Sequence, residues 1–169
     1  MKRVVTGHRN GKSVILDERE IQPFGNDLGV GDLAFLWQPS EVVPAIPADE
    51  NECKKELTPI FPGPGQTFLG YNWLYPDKEA SQKAADKGID LEATWRQLFK
   101  DDFGMHTTPT IDYDIIISGE LWMELDDGVE VHLMPGDCVI QNGTRHAWRN
   151  RGTEPCFMVS IMVGAKRAQ

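Results

Sequence analysis

Residues 104–150 read GMHTTPTIDYDIIISGELWMELDDGVEVHLMPGDCVIQNGTRHAWRN. Short β-rich runs, Ile111 to Ser118, Leu121 to Leu125, Val129 to Leu133, Cys138 to Gln141 and His146 to Asn150, alternate here with Gly, Pro and Asp turns, and Cys156 to Val163 follows them. Asp126-Asp127-Gly128 and Met134-Pro135-Gly136-Asp137 carry the residue types that tight turns need. Strands this short, at this spacing, predict an all-β fold, a small antiparallel sandwich or barrel.

The same stretch holds three residues of metal-ligand type, His106, Asp112 and His146. His106 and Asp112 lie an even number of positions apart, so an extended strand carrying both would turn them to one face. A hairpin and a further turn then return the chain so that His146 can join them from a neighbouring strand. Two imidazoles and a carboxylate form the ligand set that leaves open positions on a non-haem iron. The same set suits zinc with a bound water. Without metal, a carboxylate beside an imidazole orients it and raises its basicity, giving a proton-transfer dyad.

These residues resemble the cupins, double-stranded β-helix (jelly-roll) barrels with a site in the mouth. Gly104-Met105-His106-Thr107-Thr108, then Asp112 and Gly119-Glu120, answer the first cupin motif. Pro135-Gly136-Asp137, Gly143-Thr144-Arg145-His146 and Asn150 answer the second. The phrase from Asp112 to Asn150, with the RVVTGH opening at Arg3 to His8, is similar to a subgroup of single-domain bacterial and fungal cupins that includes cupin-type oxidoreductases of polyketide clusters. The resemblance implies a divalent metal (Fe, Zn, Mn or Ni) held by His106, Asp112 and His146. It also implies decarboxylation, dehydration, isomerisation or oxygenation of a small oxygenated carbonyl or carboxylate compound through an enolate-like intermediate. A metal-free lyase or isomerase using a His–Asp pair, and a non-catalytic small-molecule-binding barrel, are the alternatives. Three positions depart from the pattern. Thr108 stands where the second histidine of the first motif would be, Asp112 replaces a glutamate, and the interval from Gly136 to His146 is one residue short, with Gln141 or Asn142 at the usual proline position.

Around the three candidates, Thr108 and Trp148 are the expected substrate-binding residues; Trp148 follows His146 by two positions and can wall an apolar pocket. Arg145 and Arg149 flank His146 at odd offsets and are expected to point to solvent, as is His132. Cys138 and Cys156, embedded in apolar strands, are expected in the core.

Working outward toward the N-terminus, Asp77 to Lys100 is the helical zone, with Leu91, Trp95, Leu98 and Phe99 on one face, Asp90 as cap and Gly88 dividing it in two. Thr67 to Tyr75 and Leu33 to Trp37 read as strands, separated by a proline-rich wrapping loop. Arg3 to Thr6 and Ser13 to Leu16 flank Asn10-Gly11 as a hairpin. The expected layout is one structural domain, with an N-terminal extension (1–103) packed on a cupin barrel core (104–169).

The chain has 169 residues with 26 acidic against 17 basic side chains, a formal net charge of -9. That balance repels phosphate backbones and anionic lipid, so nucleic acid is not an expected partner. No apolar run reaches the roughly 18 residues of a spanning helix, so no membrane partner is expected either. Three cysteines, Cys53, Cys138 and Cys156, in no paired spacing fit a reducing compartment. The opening residues supply no apolar signal core, which points to a cytoplasmic location. By resemblance, the partners are a small-molecule substrate and a second copy of the chain in a homodimer.

Overall fold

The computed structural model describes residues 2–9, 12–25, 31–39, 42 and 61–166. Asn10-Gly11, Cys53 and most of the proline-rich loop lie outside the described residues. In chain order the elements are β1 (Lys2–Arg9), β2 (Lys12–Glu20), β3 (Phe24–Gly25), β4 (Gly31–Trp37), β5 (Thr67–Leu74), α1 (Asp77–Asp86), α2 (Leu91–Phe99), β6 (Thr110–Ser118), β7 (Leu121–Glu124), β8 (Glu130–Leu133), β9 (Cys138–Gln141), β10 (Ala147–Arg149) and β11 (Cys156–Gly164).

A six-stranded sheet in the order β3-β4-β5-β11-β6-β9 faces a three-stranded sheet, β10-β7-β8, while β1 and β2 pair with each other. Ile116, Leu121, Met123, Leu133, Cys156 and Met158 fill the space between the two larger sheets, with Leu74, Val139 and Trp148 packed against them. Burying such side chains contributes roughly 1.5–3 kcal/mol each. Gly119 makes the turn from β6 to β7 at φ 77, and a Cβ there would press to 2.8 Å from the Pro155 carbonyl oxygen. Residues 1–103 are more than an outer covering: β4 pairs β5 and β5 pairs β11, so both are strands of the main sheet.

The alternation of burial along β6 decides the character of the interior. Thr110, Asp112, Asp114 and Ile116 are buried, whereas Tyr113 and Ile117 are exposed. On the outer face, Ile161 of β11, Tyr113 of β6 and Ile140 of β9 are register partners and make an exposed apolar row.

The helical zone divides as its sequence indicates. Gly88 adopts a left-handed φ between the helices, and Asp90 caps α2 by accepting the Ala93 N–H at 3.0 Å. Leu98, expected on the packed face of α2, is instead 60% exposed, and α2 has no fully buried residue. Cys138 is likewise exposed where a core position was expected, because its β9 neighbour Val139 takes the inward place; Cys156 is fully buried. No helix among the described residues is long and apolar enough to cross a membrane.

Candidate functional site

His106 and His146 meet. The two residues form an isolated antiparallel bridge in which each backbone N–H donates to the other's carbonyl at 2.9 Å. Their rings lie 4.3 Å apart. The route differs from the expected one, since β6 starts only at Thr110 and His106 does not share a strand with Asp112. Pro109 has no N–H to give a ladder and stands just ahead of the strand.

Each imidazole is held from one side. Nδ1 of His106 lies 3.0 Å from the Gly104 carbonyl, and Nδ1 of His146 lies 3.0 Å from the Thr144 carbonyl. A carbonyl only accepts, so both rings carry their proton on Nδ1 and present a bare Nε2 lone pair. Burial, followed by the neighbouring His146, lowers the His106 pKa to about 4. Burial also lowers that of His146. Both rings are therefore neutral at pH 7.

α2 packs its aromatic side chains on His106. Trp95 and Phe99 each place a ring 5.5 Å from His106, and Trp95 Nε1 donates to the Met105 carbonyl at 2.8 Å. A cavity of about 160 Å³ remains between the helices and the barrel, lined by His106 and Trp148 together with Leu74, Leu91, Trp95 and Phe103. Trp148 thus both walls the cavity and packs on the core, with its ring edge-on to His146 at 5.5 Å.

Two arginines brace the segment that carries His106, and Arg149 also lines the cavity. Arg145 binds Asp101 through two nitrogens and reaches Asp102 and Asp126 as well; Arg149 donates to Glu124 at 2.7 Å and to the Phe103 carbonyl at 2.9 Å. The expectation that Arg145 and Arg149 point freely to solvent is therefore corrected: both hold the 101–106 segment against β10 and the β7–β8 turn. A side chain at Gly104 would press on the Arg149 guanidinium, which explains a glycine at φ 84 there. His132 is exposed, as expected, stacked on Trp122 and paired with Glu120. Asn150 is structural, donating to the Leu74 and Glu154 carbonyls and accepting from Gly152 N–H.

Asp112 lies deeper, 3% exposed, and its pKa is raised by burial. Thr108, 2% exposed, donates to Asp112 Oδ2 at 3.4 Å and does not line the His106 cavity. Among the described residues there is no group of three or more His, Cys, Asp or Glu side chains placed to hold a metal ion. The bare Nε2 atoms of His106 and His146 have the chemistry of metal donors, and the Asp112 carboxylate interacts electrostatically with His106. The expected three-residue ligand set is nonetheless not assembled among the described residues.

One further carboxylate was missed by sequence reasoning. Asp114, 4% exposed, accepts from Ser160 Oγ at 2.6 Å, and Ser160 in turn accepts from Asn72 Nδ2 at 2.9 Å. Burial and the nearby Asp112 push the Asp114 pKa up to about 7. Its signal was available, because Asp112 and Asp114 sit two apart on one strand and must share a face.

This two-sheet fold with a histidine pair at one end is that of a cupin, and residues 100–162 match the sequence profile of the cupin domain family. That part of the chain is a cupin domain. The chain is 47% identical over 63 residues to phomopsin biosynthesis cluster protein C' of Diaporthe leptostromiformis, 37% of this chain and 33% of the relative. It is 36% identical over 62 residues to the cupin-domain-containing oxidoreductase fogC of Aspergillus ruber, 35% of this chain and 30% of the relative. The chain thus spans about a third of the length of these curated relatives. Among solved structures, the cupin domain of an XRE family transcriptional regulator from Enterobacter cloacae aligns with TM-score 0.40 and 20% identity over 64% of this chain and 95% of that one.

Proposed function

We propose that this protein is a cupin enzyme of small-molecule metabolism that transfers a proton to and from an activated carbon of a small carbonyl compound with an apolar or aromatic body. The observation that carries the reading is the bare Nε2 of a neutral His106 at the wall of an apolar cavity. The apolar body fits against Trp95, Phe103 and Trp148. His106 Nε2 takes a proton from the carbon beside the carbonyl, the C–H electron pair passes into the carbonyl as an enolate, and the proton returns to carbon or oxygen. In the apolar surroundings of Trp95, Phe103 and Trp148 the charge that forms interacts more strongly with its neighbours than it would in water. Relatives named as a biosynthetic cluster protein and a cupin-domain-containing oxidoreductase support a place in small-molecule metabolism. The residues described here supply the proton-transfer step of such chemistry.

A second reading, a binding barrel without turnover, is favoured by Thr108 at a ligand position and by the closure of Asp112. One experiment separates the two. Protein treated with a chelator is incubated with phenylacetone in deuterium oxide, and exchange at the benzylic carbon is followed by proton NMR. The proposal expects wild-type protein to accelerate exchange and His106→Gln to lose that acceleration. Saturable binding with no exchange favours the binding barrel, and equal exchange in both proteins refutes the role of His106.

A further inference from the structure

Among the described residues, β6 and β9 hold three buried polar atoms without a partner, Thr110 Oγ1, Asp112 Oδ1 and Gln141 Nε2, and the last two, on adjacent strands, ought to satisfy each other and do not. Asp112 on β6 and Gln141 on β9 are register partners, both directed inward and 3% and 2% exposed. Asp112 Oδ1 and Gln141 Nε2 have no hydrogen-bond partner. Leaving a buried polar atom unsatisfied is costly, so two side by side call for an occupant between them.

The amide orientation of Gln141 decides what that occupant is. Its Oε1 accepts from the Thr144 backbone N–H at 3.2 Å and from the Thr144 hydroxyl. A backbone N–H only donates, so the oxygen must face Thr144 and the NH₂ must face the interior. A pair of N–H donors repels a cation and attracts an oxygen. Asp112 Oδ1 agrees with this: ionised, it accepts from a hydroxyl, and protonated, its carboxyl donates to a carbonyl. In either state the matching ligand atom is an oxygen. A cleft of about 420 Å³ reaches the same strands from outside, lined in part by Thr108, Thr110, Asn142 and Gly143.

We infer that a second binding position, separate from the His106 cavity, lies between Asp112 Oδ1 and Gln141 Nε2, and that it takes the hydroxyl or carbonyl oxygen of a small polar molecule instead of a metal cation. Gln141 sets this preference. The position does not depend on proton transfer at His106, so loss of that activity would leave it intact.

The test uses the side-chain amide signals of Gln141 in the nitrogen-15 NMR spectrum of the unsubstituted 169-residue chain, titrated separately with hydroxyacetone and with zinc ion. Hydroxyacetone is expected to move the Gln141 signals in a saturable way, and zinc to leave them in place. Gln141→Glu keeps an oxygen for Thr144 and puts a carboxylate where the donors were. That variant, confirmed as folded by its spectrum, should bind hydroxyacetone about tenfold more weakly and gain a zinc response at the Asp112 backbone amide. A Gln141 signal in the wild type that ignores hydroxyacetone, with or without a cross-peak to a trapped water, overturns the proposal. So does one that follows zinc.

Discussion

Replacing Asp114 with asparagine should favour the folded protein more in mild alkali than in mild acid. Asp114 is 4% exposed, accepts from Ser160 and lies on the same inward face as Asp112; its pKa is pushed up from 3.8 to about 7, first by burial. The folded state therefore holds a proton between those two values that the unfolded chain releases. Stability falls as pH rises through that window, and each pH unit is worth about 1.4 kcal/mol. About two of the three units lie above pH 5, so Asp114→Asn should gain roughly 3 kcal/mol on the wild type between pH 5 and pH 8. Asparagine keeps the acceptor for Ser160 Oγ and supplies N–H donors in place of the carboxyl proton. Urea denaturation of both proteins at the two pH values measures the difference, and thermal melts should separate by about 5–10 °C at the higher pH. A constant difference between the two proteins at both pH values would refute the reasoning, since only an ionising Asp114 makes it change.

His106 acts with the opposite sign. Its pKa is lowered from 6.5 to about 4, so the unfolded chain takes up a proton that the fold refuses, and stability is lost as pH falls through that window. After allowance for partial solvent access this is worth about 2 kcal/mol; His106→Gln should remove the acid-side loss, and an unchanged denaturation midpoint profile from pH 6.5 to pH 4 would contradict it. Asn150→Ala leaves the Leu74 and Glu154 carbonyls and the Gly152 N–H without their partner, and should cost about 2–4 kcal/mol by chemical denaturation; a cost below about 1 kcal/mol would show water replacing the side chain. If the chain pairs with a second copy, as its resemblance implies, the exposed uncharged row Ile161, Tyr113 and Ile140 is the face proposed to meet. Tyr113→Lys should then convert a dimer to a monomer in light scattering, and a wild-type monomer or an unaffected dimer rejects that surface.

Most of the β-region was legible because period-two alternation and turn chemistry are local signals: every strand run read between Ile111 and Val163 is present within two residues at its ends, and Asp90 and Gly88 delimit the helices as their residue types require. Locality also set the limit. Parity along a strand placed His106 and Asp112 on one face, but Pro109 interrupts the strand, and His106 instead pairs with a residue forty positions later. Which strand lies beside which is not written in any short window, so the union of β4 and β5 with β11 was not readable. Arg145 and Arg149 were misjudged for the same reason, their partners being distant carboxylates and a carbonyl. Asp114 is different, since the pattern Asp112-Tyr113-Asp114 on a strand already implied two inward carboxylates.

The central claim is that a neutral His106 presents a bare Nε2 to an apolar cavity. Nitrogen-15 NMR of the histidine rings, recorded from pH 3.5 to pH 8 with and without phenylacetone, tests it most directly. The account predicts the Nδ1–H tautomer for His106, titration near 4 rather than near 6.5, and a ligand-induced change centred on Nε2. A proton on Nε2 at pH 7, or an ordinary titration near 6.5, would contradict it.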